Sequence, residues 1–382
     1  METVVPGERW VRPSEWRTVG GSGSKFEPGD TLSARITPCL ENGKIAQYAG
    51  EQPGLGSTEF FVLRAKPKVA DPLFVYYFAL QTAFRARAVT SMTGASGRQR
   101  ANADALSDFE CTFPSLGRQR LIAATLGAYD YLAENNRRRA EILEATARAL
   151  HRHQFHAVGL QTVTSGVSSD LPLGWKSSSL RNFVEINPKV VVSRDGEKPF
   201  VSMAGLSNDS MIVSDIELRA GNSGSKFRNG DTLFARITPC LENGKTGFVQ
   251  FLSDSRSVAF GSTEFIVLRS KTLTPEFVYL LARSDEFRSA AIKSMSGASG
   301  RQRVQEQCFD TMSMAQPPAE VLSQFSEVVR PMFRLIHQLH LQNLNVRTIR
   351  DLLLPSLLSG QLSPTRVEGI PVAMAQASTS LG

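Results

Sequence analysis

Basic side chains recur at matched positions in the two halves of this chain. Arg35 and Lys44 bracket the sequence Ile-Thr-Pro-Cys-Leu-Glu-Asn-Gly, and Arg236 and Lys245 bracket the same sequence. An arginine can bind a guanine edge or a phosphate through two hydrogen bonds, whereas a lysine acts as a point charge. Because Asn-Gly suits a tight turn, the pattern predicts a hairpin whose cations contact DNA. The alternative is an internal ion pair between Arg35 and Glu41.

A second repeated motif, Gly-Ala-Ser-Gly-Arg-Gln-Arg, occupies residues 94–100 and 297–303. Its small residues allow backbone N–H groups to approach a phosphate. Its long polar side chains can reach a groove of the duplex, and they are Arg98, Gln99, Arg100, Arg301, Gln302 and Arg303. We interpret this motif as a second DNA contact. The alternative is a surface loop that precedes a strand.

Both motifs belong to a unit that occurs twice. Residues 31–44 and 232–245 agree at thirteen of fourteen positions, and Gly-Ser-Thr-Glu-Phe stands at 56–60 and 261–265. A period of roughly 200 residues is too long for a solenoid and indicates two domains of like fold. Two like domains in one chain imitate a two-fold dimer, which suits a two-part target.

Segments 45–55 and 246–260 differ between the copies in sequence and in length. Phosphate contacts set the register of a protein on DNA, but contacts with base edges carry the specificity. We therefore predict that these segments help to read bases, while the shared motifs hold the backbone or a common base.

The sequence around the motifs predicts strands and short helices. Residues 60–64 and 265–269 are rich in β-branched and aromatic residues, and nearby turn signals favour a twisted sheet or a partial barrel. A small helix is expected in each copy, near residues 72–88 and 275–293.

Each copy ends in a long predicted helix. In the second copy, apolar residues recur every three or four positions and predict a coiled-coil seam, which consists of Leu322, Phe325, Val329, Met332, Ile336, Leu339, Val346, Ile349 and Leu353. Pro331 should kink this helix or mark a joint between two pieces. A weaker track in the first copy contains Ile122, Tyr129, Leu132, Leu143 and Leu150. An antiparallel pair of the two helices would bury both stripes.

The predicted fold is therefore of α+β class, with two β-rich domains separated by a pair of long antiparallel coiled-coil helices and related by a pseudo-two-fold internal repeat. The segments are a first domain at 1–114, a spacer helix at 115–160, a second domain at 171–316, a second spacer helix at 317–360 and a disordered tail at 361–382. We expect the first domain to lack about thirty residues at its N-terminal side, either through a misplaced start or through a real truncation. Only 22 residues precede its shared Gly23, whereas roughly fifty residues of strand-like sequence precede Gly224 in the second copy.

Composition restricts the class of protein further. The net charge of +7 and the pI near 9.4 favour a polyanionic partner. The four cysteines form no Cys-x-x-Cys pair, so neither zinc nor a disulfide framework is expected. His151, His153 and His156 are interpreted as cations at a helix end rather than as metal ligands. The longest apolar run, residues 72–80, is too short to span a membrane, and no signal peptide is apparent. We expect a cytoplasmic protein without metal or cofactor.

The arrangement resembles the specificity subunit of a type I restriction–modification system over nearly the whole chain. Residues 29–32 and 230–233 (Gly-Asp-Thr-Leu), with Ala-Arg-Ile-Thr-Pro shortly after, resemble the family's central strand motif. Residues 113–122 resemble the proline-rich start of its spacer helix, residues 171–175 its usual domain start, and residues 353–362 its closing segment.

The sequence also departs from the family's pattern. Arg118-Gln119 stands where the family usually has Glu-Gln, and the second copy reads Gln-Pro-Pro-Ala-Glu at 316–320.

This resemblance implies a recognition subunit without catalytic activity that selects a bipartite site in double-stranded DNA. Its implied partners are methyltransferase subunits, expected to be two, and restriction subunits that combine motor and nuclease. No Asn/Asp-Pro-Pro-Tyr/Phe motif for amino-group methylation occurs in the chain. Arg137–Arg139 are candidates for docking the methyltransferase subunits, and a solvated helix face is the alternative.

Two other functions remain open at this point. One is the recognition subunit of a type IIB-like restriction–methylation enzyme. The other is a scaffold that does not bind DNA and whose basic charge is incidental. A strong dependence of DNA binding on salt, as counterion release produces, would separate a DNA-binding subunit from the scaffold.

Overall fold

The computed structural model describes residues 1–16, 21–95, 97–155, 161–162, 171, 173–298 and 300–364. The chain divides into two compact units, and the residues up to Asn136 together with those from Gln342 onward form the first. The second unit is Arg137–Leu341. The fold is of mixed α+β class and includes two helices of 40 residues each.

The first unit begins with short strands and continues with short helices. In chain order its elements are β1 (Trp10–Val11), β2 (Ser24–Phe26), β3 (Thr31–Ala34), β4 (Ile45–Tyr48), β5 (Gly54–Gly56), β6 (Phe60–Leu63), α1 (Pro72–Ala79), α2 (Thr82–Thr90) and α3 (Ala103–Ser107). The first long helix, α4 (Leu116–Phe155), starts in this unit and ends in the second.

The second unit has more strands in its described part. They are β7 (Gln161–Thr162), β8 (Lys176–Ser179), β9 (Val184–Ile186), β10 (Lys198–Val201), β11 (Ile216–Arg219), β12 (Ser225–Phe227), β13 (Thr232–Ala235), β14 (Thr246–Phe248), β15 (Ala259–Gly261), β16 (Phe265–Ser270) and β17 (Met312–Gln316). Its short helices are α5 (Leu180–Phe183), α6 (Pro275–Ala282) and α7 (Asp285–Lys293). The second long helix is α8 (Ala319–Leu358).

A short central strand organises each unit. In the first, β3 pairs antiparallel with β4 on one side and with β6 on the other, and β1 adds parallel to β4. All four residues of β3 are buried. The helix α1 packs against the sheet, and Leu32 belongs to the hydrophobic cluster that contains Phe26. In the second unit, β13 pairs in the same way with β14 and β16, and β9 extends the sheet beyond β16.

The Gly-Asp-Thr-Leu motif stabilises the start of each central strand. Asp30 accepts a hydrogen bond from the backbone N–H of Glu27 at 2.7 Å and forms an ion pair with Arg64, with the Nη2–Oδ2 atoms 2.7 Å apart. Asp231 repeats both contacts, with the Arg269 guanidinium 2.6 Å away. The aspartate therefore joins the turn before the central strand to the end of β6 or β16.

The predicted small helix of each copy is two short helices in the structure. In the second unit, α6 ends before Ser284, whose side chain accepts a hydrogen bond from the N–H of Phe287 and caps α7. A serine at this position favours a new helix start, which is why one helical segment becomes two.

The paired long helices of the first unit run antiparallel. Asn136 donates to the side chain of Gln342 at 2.9 Å, whereas six residues earlier Asp130 lies against Arg350. Asp130 also accepts a hydrogen bond from the Tyr77 hydroxyl at 2.5 Å. This buried network ties both helices to α1.

The long helices of the second unit meet through aromatic and polar contacts. Phe155 of α4 packs edge-on against Phe325 of α8, with ring centroids 5.1 Å apart. Glu144 of α4 is buried and accepts hydrogen bonds from the Tyr279 hydroxyl at 2.7 Å and the Met211 N–H at 2.9 Å. The pair of long helices predicted from the sequence is thus present in each unit.

The predicted seam of α8 is correct over most of its length and wrong near its end. Val329, Ile336 and Val346 are buried, but Ile349 is 43% exposed and Arg350 takes its place at 3%. A straight helix drifts by about 20° per heptad relative to a strict seven-residue repeat. From Leu322 to Arg350, four heptads later, the drift adds up to about 80°. This is nearly the rotation of one helical residue, so the buried position moves from residue 349 to Arg350.

Two further expectations for the helices were wrong. Leu132, assigned to the buried track of α4, is 37% exposed, while the polar Asp130 and Asn136 are buried in its place. Of the two effects predicted for Pro331, the joint between two pieces is wrong, because α8 runs as one helix from Ala319 to Leu358. Pro331 lies on the exposed side, where water can bind the carbonyl that loses its N–H partner.

The spacer segments predicted at 115–160 and 317–360 contain α4 and α8. From residue 365 onward, the predicted tail lies outside the described residues.

Candidate nucleic-acid interface

Three repeated motifs assemble at one end of the central hairpin of the first unit. The N–H of Arg35 donates to the carbonyl of Glu59 at 2.9 Å, and the carbonyl of Arg35 accepts from the N–H of Ala101 at 2.8 Å. Thr37 and Gln99 exchange backbone and hydroxyl hydrogen bonds of 3.0 Å. Residues distant in sequence thus form one local structure.

The second unit builds the same assembly from the second copy. The N–H of Arg236 donates to the carbonyl of Glu264 at 3.0 Å, and Val304 donates to the carbonyl of Arg236 at 2.8 Å. Thr238 and Gln302 repeat the exchange, at 3.0 and 3.1 Å. Much of the sequence identity between the copies therefore maintains this shared backbone arrangement.

The predicted hairpin is confirmed. β3 pairs with β4 and β13 pairs with β14, and the connecting residues end in the Asn-Gly turn. Gly43 and Gly244 have φ values of 69° and 84°, a region that side chains disfavour.

Arg100 and Arg303 form ion pairs inside their own units. The Nε of Arg100 donates to both carboxylate oxygens of Glu59, at 2.9 and 3.0 Å, and Arg303 binds Glu264 in the same way at 3.0 Å. The hydrogen bond from Arg100 lowers the pKa of Glu59. Each arginine thus fixes the loop that precedes it, and its guanidinium remains 47% exposed.

Arg98 and Arg301 differ from their neighbours in the same motif. Both are exposed, and neither side chain has a hydrogen-bond or ion-pair partner among the residues that the structure describes. Their backbone N–H groups close a tight turn on the carbonyls of Ala95 and Ala298, at 3.1 and 3.0 Å. In each unit this arginine therefore presents an available guanidinium on a hydrogen-bonded turn. DNA contact by these residues stays a prediction.

The hairpin arginines are less accessible than the sequence suggested. The guanidinium of Arg35 lies 5.2 Å from the ring centroid of Phe61, and Glu41 is not its partner. Arg236 donates to the carbonyl of Val304 at 3.1 Å and to the Glu306 carboxylate at 3.2 Å.

The hairpin lysines bind main-chain carbonyls of their own units. The ammonium group of Lys44 donates to the carbonyl of Met1 at 3.3 Å, and that of Lys245 donates to the carbonyl of Met203 at 2.9 Å. Both side chains are half-buried, so a DNA contact would compete with these bonds.

The segments that differ between the copies begin as buried strands. Ile45–Tyr48 and Thr246–Phe248 are buried throughout, so these parts of the predicted base-reading segments cannot face DNA. Loops at 49–53 and 249–258 remain as candidates. The strand pairing places these loops beside Thr31 and Thr232, which are the first residues of the central strands. The assembled motifs lie at the other end of the same strands.

The loop at 249–258 carries an exposed arginine that sequence reasoning did not single out. Asp254 accepts hydrogen bonds from the N–H groups of Arg256 and Ser257, at 2.6 and 2.8 Å, and from the Ser257 hydroxyl at 2.8 Å. These bonds lower the pKa of Asp254, with the Ser257 hydroxyl as the largest cause. The Asp-Ser-Arg-Ser sequence was a turn signal that could have indicated this ordered loop.

The predicted histidine cations at the end of α4 need a correction. His151 is buried among Phe155, Phe277 and Phe325, and burial lowers its pKa to about 4. It is therefore an uncharged core residue at neutral pH. His156 lies outside the described residues.

No group of three or more His, Cys, Asp or Glu side chains could hold a metal ion in the described part of the chain. Likewise, none of the helices described in the structure combines the length and hydropathy of a membrane span.

Comparison with known proteins finds similarity to the family that the motifs indicated. Residues 36–145 match the family model of the type I restriction modification DNA specificity domain. The chain is 28% identical over 206 residues to the type I restriction enzyme EcoAI specificity subunit of Escherichia coli, which covers 52% of this chain and 35% of that protein. It is 31% identical over 201 residues to the EcoEI specificity subunit of the same organism, with 50% and 33% covered.

A third relative aligns over a longer part of the chain. The type I restriction enzyme MjaIX specificity subunit of Methanocaldococcus jannaschii is 22% identical over 306 residues, with 75% of this chain and 68% of that protein covered.

The matched region contains the motif assembly of the first unit, including Thr37, Glu59 and Arg100. The chain spans about a third of the length of the two E. coli relatives. These findings confirm the predicted resemblance, since residues 36–145 match the model of that domain. It is a relative of the type I restriction–modification specificity subunits.

Proposed function

We propose that this chain is the DNA-specificity subunit of a type I restriction–modification complex and that each of its two units binds one half of a bipartite duplex site. The observation that carries the proposal is the matched pair Arg98 and Arg301. Both stand on the same turn of the same motif assembly, exposed and without a side-chain partner among the described residues. Two equivalent cations in two like units suit two equivalent phosphates.

The motif assembly supports a binding role for these arginines. The ion pairs of Arg100 with Glu59 and of Arg303 with Glu264 fix the residues that follow these turns. An arginine whose backbone N–H is fixed by a hydrogen bond loses less conformational freedom when its guanidinium binds a phosphate. The net charge of +7 adds a favourable long-range attraction to DNA.

The remaining parts of the proposal concern the assembly. In the proposed complex, a pseudo-two-fold relation between the two units matches the two half-sites of the DNA. The helices α4 and α8 set the length of the gap between the half-sites, whose bases are not read. Two methyltransferase subunits dock on the helices, and restriction subunits supply motor and nuclease. The chain itself selects the site and catalyses no step. The similarity of the chain to specificity subunits supports the proposal that it selects the site and that other subunits catalyse the reactions.

The test measures binding of the full chain to mixed-sequence duplex DNA by fluorescence anisotropy at several salt concentrations. Arg98→Gln and Arg301→Gln should each weaken binding and reduce the slope of log K against log salt by about 0.9, since each removes one phosphate contact. Lys66→Gln removes the same charge from an exposed position beyond β6 and serves as the control. Wild-type affinity and slope in the double variant would contradict the proposal.

A further inference from the structure

The outer edge of β16 is covered in the second unit. β9 pairs antiparallel with it, in the register Leu268 to Ile186 and Ser270 to Val184. Ile266, Val267 and Leu268 are at most 1% exposed as a result.

The matching edge in the first unit has no such cover among the residues that the structure describes. β6 follows the same Gly-Ser-Thr-Glu-Phe motif as β16 but ends at Leu63 and pairs only with β3 among the described residues. Phe61, Val62 and Leu63 are half-buried, in contrast to their fully buried counterparts. One side of this strand therefore offers free backbone groups beside apolar side chains.

A second strand of the second unit also has no counterpart in the described part of the first unit. In the second unit, β17 pairs with β8 on one side and with β7 on the other. Residues 109–113 occupy the matching place in the first unit, between the repeated Gly-Ala-Ser-Gly-Arg-Gln-Arg motif and the start of the long helix. They form no strand in the described structure, and Phe109 and Phe113 are half-buried where Met312 is 1% exposed.

A single segment covers both places in the second unit. Lys176–Ile186 forms β8, α5 and β9 without interruption, so that β8 pairs with β17 and β9 pairs with β16. Its apolar residues Leu180, Phe183 and Val184 are at most 2% exposed. In the first unit, Leu63, Phe109 and Phe113 pack against one hydrophobic cluster, so both places border the same core.

We propose that the first unit contains a binding site for a polypeptide segment from outside residues 1–382, with the strand–helix–strand pattern and apolar spacing of Lys176–Ile186. The segment adds one strand to the edge of β6 and another to residues 109–113, as in recognition by strand addition. Its central apolar residues cover Leu63 and Phe109. An uncovered edge with apolar neighbours is otherwise a site for aggregation, so the first unit gains stability on binding.

The experiment uses the full chain and a fluorescent peptide with the sequence of residues 173–187. We expect saturable 1:1 binding in fluorescence anisotropy and new hydrogen-exchange protection at residues 61–66 and 109–113. A control peptide with Leu180→Asp and Phe183→Asp should bind at least about tenfold more weakly, because it would bury charge in the apolar site.

Three outcomes would overturn the proposal. The first is no binding of the peptide to the folded chain. The second is loss of protection at residues 176–186 of the chain itself, which would show that the peptide displaces the chain's own segment in the second unit. The third is a dimer of the chain that protects 61–66 without peptide, since a second copy would then be the occupant.

Discussion

At the scale of single residues, two arginines of one motif have different surroundings. Arg100 is held by Glu59 through two hydrogen bonds from its Nε, whereas Arg98 is exposed and has no side-chain partner in the described structure. Arg303 and Arg301 repeat this difference. Arg100 and Arg303 therefore stabilise their turns, whereas Arg98 and Arg301 are available to a ligand.

Arg100→Gln should lower the thermal stability of the first unit, because it removes the ion pair that fixes the turn. Arg98→Gln should leave it unchanged. Hydrogen exchange at residues 93–101 measures the difference within one unit. Equal protection in the two variants would contradict the assignment of these roles.

The ion pair also predicts a pH dependence. Since Arg100 lowers the pKa of Glu59 in the folded chain, its contribution is present above the pKa of the unfolded state and is lost as pH falls through the folded value. The wild-type chain should thus lose protection of residues 93–101 on acidification, and Arg100→Gln should show a smaller change. An identical acid response would contradict the prediction.

The sequence could indicate these motifs but not the roles of their members. Arg98 and Arg100 have the same side chain, and only the position of Glu59, distant in the sequence, distinguishes them. The lysines were assigned to DNA by type, yet Lys245 binds the carbonyl of Met203 in the fold. Such contacts depend on tertiary structure, which periodicity and composition do not contain.

At the scale of elements, the long helices combine an apolar stripe with buried polar residues. The stripe of α8 was predictable because Val329 and Ile336 follow coiled-coil spacing. The buried Asp130, Asn136 and Glu144 of α4 were not, since polar residues ordinarily mark an exposed face. They can be buried because residues of other elements form hydrogen bonds or ion pairs with them. Asp130, for example, accepts a hydrogen bond from Tyr77 and forms an ion pair with Arg350.

Arg350→Met should destabilise the first unit by about 3–5 kcal/mol, because it leaves the Asp130 carboxylate buried without its cation. The double variant Asp130→Leu/Arg350→Met should cost less than the single one. Arg347→Met, which removes a half-exposed pair with Glu8, should cost less than about 1 kcal/mol. Denaturant unfolding followed by hydrogen exchange measures all three, and an additive double variant would contradict the coupling.

His151 makes the second unit sensitive to acid. Its pKa is about 4 in the fold and about 6.5 when unfolded. The unfolded chain therefore binds more protons between these values, and stability falls as pH drops from 6.5 toward 4, by about 1.4 kcal/mol per pH unit at most. His151→Leu should flatten this dependence in melting curves of the second unit. The exposed His153→Leu serves as control, and an unchanged slope in His151→Leu would reject the assignment.

At the scale of the whole molecule, each unit combines a β-rich part with segments of both long helices. The first contains the beginning of α4 and the end of α8, and the second contains the remaining parts. The repeat predicted two β-rich domains and two helices. It did not predict that the units divide within the helices, because that division depends on which helix faces pack together.

Insertion of one heptad into each helix, after Asn136 and after Leu341, should lengthen the spacer by about 10.5 Å. In the proposed complex the unread gap should then widen by about three base pairs while both half-sites stay the same. Mapping of methylated sites in cells that carry the lengthened chain measures this. A change in the half-sites at constant gap would contradict a spacer role for α4 and α8.

The central claim is that this chain specifies a two-part DNA site for a methyltransferase. The most direct measurement is genome-wide mapping of methylated bases in the host, with the gene present, deleted and restored. We expect a bipartite methylated motif that disappears on deletion and returns with the wild-type chain. A set of methylated motifs that is unchanged by deletion would contradict it.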